Sequence, residues 1–370
     1  MSAEAMSEDV TSESVDDRVR AEGLTLSQVR AAIPTALLAP SEVRSWAALA
    51  RVCLTAAGCL WLLSQLAIDP AETGPAEWLA LIGVWSLYGL VLVGLFVIGH
   101  DCGHGSFSRH RWLNTLIGYA VMSPMVNGFH TWRLTHNHHH AFTQLRGQEV
   151  DWGAYLQTEA ELAERTWRED AIIRLGYALP LGIFLWIGWN TLRRGVMVRG
   201  VIGEDRYARE RRALLVSNAI MLTCQLAITV GLLSLGGWWA LLKFHSIPAT
   251  IAGIFGAFII AAGHASPQSL VFEEGDWTSA RGQLSSTYTV RFPRIVEWLI
   301  CDINVHIPHH VSVRIPWYRL RAANAALKAG WPGLVQERRF SLRELAWCVT
   351  TPVLEADPAH GRYRLRPRGR

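Results

Sequence analysis

The sequence predicts an all-α fold: an integral membrane bundle of four transmembrane helices with interfacial helices and a cytoplasmic helical cap. Three observations predict it, namely long uncharged apolar runs, arginines confined to one set of loops, and histidines gathered in three short strings. Half of the 370 residues are hydrophobic, the mean hydropathy is +0.17 and 17 are tryptophan. That composition is too apolar for a typical soluble domain and too polar for a channel made only of helices.

Residues 1–40 are acidic and polar, lack the apolar core of a secretory signal, and read as a disordered cytoplasmic tail. Residues 41–330 read as the membrane domain and 331–370 as a cytoplasmic C-terminal tail. Within the domain, runs near 52–68, 78–99, 213–242 and 246–263 approach or exceed the roughly 20 residues a helix needs to cross a bilayer. A further run, 175–192, contains Pro180, Trp186 and Trp189 and is expected to lie in the interface, where Trp238 and Trp239 would also sit.

The loop 69–77 carries acids and no Lys or Arg, and the link between the third and fourth runs carries only Lys243. Arg109, Arg111, Arg133 and the arginine-rich segments 193–200 and 206–212 all lie between the second and third runs. The positive-inside rule places that stretch, and both termini with it, on the cytoplasmic side. Cys53, Cys59, Cys102, Cys224, Cys301 and Cys348 are scattered without a CxxC pair. They read as packing residues rather than disulfides or zinc ligands.

Eight of the 14 histidines stand at shared-face spacing in three strings: His100 and His104; His136, His139 and His140; His306, His309 and His310. Helical residues three or four apart share a face, so each string aims two or three imidazoles one way. His138 lies off that face and is expected to be a supporting or exposed residue. A lone histidine is usually a core or surface residue; three strings at membrane exits on one side point to a metal. Eight imidazoles exceed what one tetrahedral zinc uses, so two ions of higher coordination number fit the count. Imidazole suits iron, copper, nickel and zinc alike.

The segments HDCGHGSF (100–107), FHTWRLTHNHHH (129–140) and DINVHIPHH (302–310) resemble the three histidine boxes of membrane fatty-acid desaturases. They are most similar to the acyl-lipid omega-6 (Δ12) branch, and RWLNTLIGYA (111–120), EVDWG (149–153) and RIPWYRL (314–320) extend the likeness over residues 97–325. The resemblance implies a centre of two iron ions held by His100, His104, His136, His139, His140, His306, His309 and His310, with His264 in AAGHASP as a ninth ligand. It implies removal of two hydrogens from an acyl chain with O2 and two external electrons, leaving a cis double bond and water. The histidines would be ligands rather than acid–base catalysts.

Metal-bound imidazoles generally donate their second N–H to a carboxylate or carbonyl. Asp101, Asn137, Asp151, Asp302 and Asn304 are the polar neighbours expected in that role. Pro308 is tolerated in a first helical turn, so His306 is expected at a helix entrance. Neither a haem-binding HPGG segment nor a GxGxxG following a strand occurs, so the electrons are expected from a separate acidic carrier such as ferredoxin, docked near 193–212. The expected partners are thus an acyl lipid, O2, the membrane and that donor, with no nucleic acid. A lipid or carotenoid hydroxylase or ketolase of the same superfamily is the alternative. A metal transporter fits less well, because it would place ionisable side chains inside the spans.

Overall fold

A computed structural model describes residues 10–66, 71, 73–150, 156–168, 171, 210–348 and 353–367. The run 175–192, the segment 193–200, most of 206–212 and Asp151 lie outside the described residues. In chain order the helices are α1 (Ser12–Glu22), α2 (Leu26–Arg30), α3 (Glu42–Gln65), α4 (Pro75–His104), α5 (Arg111–Met122), α6 (Phe129–Ala141), α7 (Glu159–Ala163), α8 (Arg211–Leu241) and α9 (Ile247–His264). They continue as α10 (Ser279–Ser285), α11 (Arg294–Leu299), α12 (His306–Val311), α13 (Leu320–Gly330) and α14 (Leu342–Cys348). Short strands β1 (Gln157–Thr158), β4 (Val353–Asp357) and β5 (Arg362–Arg366) form one sheet in the order β1-β4-β5. β2 (Thr289–Arg291) and β3 (Glu337–Arg339) pair in parallel.

Among the described residues three helices, not the expected four, are long and apolar enough to cross a membrane: Glu42–Gln65, Pro75–His104 and Arg211–His264. The last takes in both the third and the fourth expected spans, because α8 runs through a π-helical turn at Leu242–Ser246 straight into α9. Lys243 suggests a loop by its charge, yet it is buried, and its Nζ donates to the Leu66 carbonyl at 3.0 Å. That carbonyl lies at the C-terminal end of α3, where intrahelical donors run out.

The break in helical geometry falls earlier, at Gly236 (φ −165°, ψ 27°) and Gly237 (φ 63°, ψ −157°). His245 and Gln225, 20 residues apart, hydrogen-bond at 2.9 Å, whereas a straight helix would separate them by roughly 30 Å. The 54-residue stretch therefore folds back on itself at the two glycines. Its apolar side chains, like those of α3, point outward: Leu54 is 73% exposed, Leu235 83% and Trp238 71%. A bilayer covers such a surface, and helices satisfy their own backbone groups within it. Trp239, unlike Trp238, turns inward against Trp78 and Trp85.

Two cores result. Leu81, Trp85, Val91, Val97 and Ile98 of α4 pack with Val121, Met122 and Phe129 inside the bundle. Val15, Val19, Val29, Leu284, Ile307, Val311, Leu320 and Leu327 form the core of a cap. This corrects the expectation of two tails. Residues 12–30 form α1 and α2, whose apolar faces are buried in the cap, and the C-terminal strands pair with one another and with β1. Among the acidic residues that suggested disorder, Glu13, Asp16, Asp17 and Glu22 are used in ion pairs, with Asp16 fully buried against Arg281 and Arg362. Cys53, Cys59, Cys102, Cys224 and Cys301 are free thiols, as the spacing predicts.

Candidate metal centre

Each histidine string sits at a helix end. His100 and His104 close α4, one turn apart on one face. His136, His139 and His140 occupy the last two turns of α6, and His264 is the final residue of α9. The third string opens α12, with His306 as its first residue and Pro308 in its first turn, as the sequence predicts. The α9 end can approach this string because position 263 lacks a side chain; a Cβ on Gly263 would lie 2.8 Å from the His306 ring.

The rings form two adjacent sets. In the first, His100, His104, His136, His140 and His309 bring one nitrogen each to within 4.8 Å of all the others. The Nε2–Nε2 distances are 3.1 Å for His100–His309, 2.9 Å for His309–His140 and 3.1 Å for His140–His136. In the second, His139, His264 and His310 converge likewise. His306 joins them, with Nε2 2.7 Å from that of His264 and 3.0 Å from that of His310.

Ligand nitrogens about 2.1 Å from one ion, at tetrahedral or right angles, stand roughly 3.0–3.4 Å apart. The observed spacings, 2.7 to 3.2 Å, lie at and just below the lower end of that range, and the donor set is wholly imidazole. The two sets are in contact, with the His140 and His310 ring centroids 4.3 Å apart. All nine predicted histidines are thus brought together in two groups able to hold metal ions. His138 is buried rather than exposed, and its Nε2 bonds the Gln148 carbonyl at 2.8 Å, away from both sets.

The rings outside the spans are held neutral, which leaves their lone pairs free. Burial, followed by the neighbouring imidazole of His139, pushes His306 down to about 3. Burial first and adjacent histidines second also hold His136, His140, His309 and His310 well below the ordinary imidazole range. Trp132 stacks on His136, with centroids 4.5 Å apart.

The supporting shell differs from the expected one. Asp101 contacts His100 Nδ1 only at 3.5 Å, and its Oδ2 accepts from the Trp317 N–H at 3.0 Å, tying the first string to the segment after the third. Asn137 is exposed beside His104. Asp302 is corrected: it lies in a turn, not a helix, with φ 50°, and pairs with Arg321 instead of a histidine. Asn304 likewise serves the fold, its Nδ2 donating to the Val290 carbonyl at 2.9 Å and to Glu297 at 3.0 Å.

The carboxylate that does receive a ring N–H is Glu149, whose Oε1 accepts from His139 Nδ1 at 2.9 Å. Gln283 takes the corresponding place at His310 Nδ1. Neither was singled out by spacing. Glu149 lies ten residues from its histidine and Gln283 27 residues from His310, beyond any helical repeat.

Helices long and apolar enough to cross a membrane, with ends that bring nine imidazoles into two touching sets able to hold metal ions, define the class: a histidine-rich helical protein of membrane type. Over residues 76–341 the sequence matches the fatty acid desaturase family, and the chain belongs to that family, as a desaturase and hence an oxidoreductase. It is 34% identical over 291 residues to the sn-1 oleoyl-lipid 12-desaturase of Synechocystis sp., covering 78% of this chain and 79% of that protein. Identity to the protein of the same name from Picosynechococcus sp. is 32%, over 91% of both chains. The chloroplastic omega-6 fatty acid desaturase of Spinacia oleracea is 25% identical, over 89% of this chain and 69% of that one.

Proposed function

We propose that the chain places a second cis double bond, of the omega-6 (Δ12) type, in a monounsaturated acyl chain of a membrane lipid. The two imidazole sets at the ends of the apolar helices carry this reading, because a metal held there would stand within reach of a lipid's acyl chain. In it, two iron ions are held by His100, His104, His136, His140 and His309 on one side and His139, His264, His306 and His310 on the other. Iron bound there supplies O2-dependent oxidation, which no side chain can provide and which zinc, lacking redox chemistry, cannot.

The protein's own part is positioning. Glu149 and Gln283 accept ring N–H bonds, which fixes the tautomer and turns Nε2 of His139 and His310 inward. Burial of the rings keeps bulk water from the reacting carbons. Atoms balance as one O2, two electrons and two protons taken up for each pair of hydrogens removed, with two waters released. A separate acidic carrier such as ferredoxin delivers the electrons, and the exposed Arg211 and Arg212 at the start of α8 suit its docking. The similar names and sequences of the relatives support the acyl-lipid substrate and the Δ12 position.

The test is expression in a host rich in monounsaturated acyl lipids, beside a His139→Ala variant. Fatty-acid methyl esters are then analysed by gas chromatography–mass spectrometry with double-bond localisation. A new diene that the variant lacks is the expected outcome. A hydroxylated product would replace this reading with that of a hydroxylase, and an unchanged profile with iron and donor supply verified would reject acyl lipid as the substrate.

A further inference from the structure

We infer that Gln283 is a positioning residue that locks the two histidine sets to one another, held in place by the N-terminal helix α1 through the buried Asp16–Arg281 pair. The inference rests on reading the nine histidines as metal ligands. Gln283 is fully buried on α10. Its Oε1 accepts from His310 Nδ1 and, at 3.2 Å, from the Thr143 hydroxyl. Its Nε2 donates to the backbone carbonyl of His140.

His310 belongs to the second set and His140 to the first. One planar amide therefore orients a ring of one set and fixes the backbone that carries a ring of the other. Only an amide side chain offers an acceptor and a donor together in this way; a carboxylate accepts only, and an alkyl group does neither.

Helix α10 has seven residues, too few to be stable alone. Its anchors come from the far ends of the sequence. Arg281, two positions before Gln283, donates to both Asp16 oxygens at 2.7 and 2.9 Å and to the His360 carbonyl at 2.8 Å. Gln336 Nε2 donates to the Leu284 carbonyl at 2.9 Å. Asp16 lies outside residues 76–341, the stretch that matches the family. The strap thus reaches the centre from the N-terminal region, outside the stretch matched by the family model.

The experiment uses the full chain purified in detergent and loaded anaerobically with Fe(II). Metal per chain is measured by plasma mass spectrometry, retention by chelator competition, and the iron environment by Mössbauer spectroscopy. Gln283→Leu is expected to weaken retention about 10- to 100-fold, the usual effect of losing a ligand's outer partner. Gln283→Glu is expected to recover most of that loss with a changed Mössbauer spectrum, since it still accepts from His310 but cannot donate to His140. Asp16→Asn is expected to weaken retention from outside the site. Gln225→Leu, which removes a bond from α8 to the Ser123 carbonyl and touches neither α10 nor a ligand histidine, is expected to hold metal like the parent.

Parental retention in folded Gln283→Leu, or an equal loss in Gln225→Leu, overturns the positioning role. Should Gln283→Leu not fold, Gln283→Glu decides, and a parental spectrum in it overturns the role. Parental retention in Asp16→Asn overturns the strap. A parent chain that binds no metal would sink the reading of the histidines as ligands, and this inference with it.

Discussion

Glu149 shows how one residue sets the direction of a ligand ring. Its Oε1 accepts from His139 Nδ1 at 2.9 Å and from the Val150 N–H at 2.7 Å, while Oε2 accepts from the Gln144 N–H at 2.8 Å. An amide at this position has one acceptor oxygen, so Glu149→Gln would set its NH2 against either the ring N–H or a backbone N–H. Metal affinity is expected to fall about 10- to 100-fold, read by chelator competition, with the span helices intact by circular dichroism. Eight of the nine histidines were legible in the sequence because helical spacing is a local property, and His264, which stands alone, only through the resemblance. Their partners were not. Asp302 and Asn304 are close to His306 along the chain, but the turn from Cys301 to Asp302 has positive φ at both residues and sends them to Arg321, Glu297 and Val290. Glu149 and Gln283 reach their histidines only through the fold.

At the scale of the element, the informative case is the long stretch of α8 and α9. Charge suggested a boundary at Lys243, but a buried lysine with a free carbonyl to bond is compatible with helix, whereas two adjacent glycines permit a reversal. Gly237 adopts φ 63° with ψ −157°, a region nearly closed to residues with a Cβ. No atom lies within 4 Å of a Cβ built there, so the cost of Gly237→Ala is backbone strain rather than a clash. The substitution is expected to destabilise the protein by about 1–3 kcal/mol. Thermal unfolding in detergent checks this, and a melting temperature equal to the parent's would show that the reversal does not depend on the glycine. The lengths of α3 and α4 were underestimated from sequence for a related reason. The apolar runs stop at Arg51 and Glu77, yet Arg51 lies inside α3, which begins at Glu42, and Glu77 sits in the first turn of α4, where an acid is favourable.

For the whole molecule, the position of the termini follows from the site. α1 bonds to α10 through Asp16 and Arg281, and β5 joins the same cluster through Arg362, whose Nη1 lies 2.8 Å from Asp16. Both described ends of the chain are therefore on the histidine side of the bundle. The opposite end begins at Pro75, roughly 45 Å from His104 along the 30-residue helix α4. Arg109 and Arg111 follow directly after the first string, and Arg211 and Arg212 open α8 at that same end. Glu77, in the first turn of α4, lies at the other. This asymmetry is what the positive-inside rule reads, and under it the histidine side is expected to face the cytoplasm. Two exposed positions separate the orientations in a cysteine-free background: Arg20 on α1 and Ala76 at the start of α4. In intact cells a membrane-impermeant maleimide is expected to label Ala76→Cys and to reach Arg20→Cys only after lysis. Labelling in the reverse pattern would put the histidine cap outside the cell, away from any cytoplasmic electron carrier, and would reject the donor together with the topology.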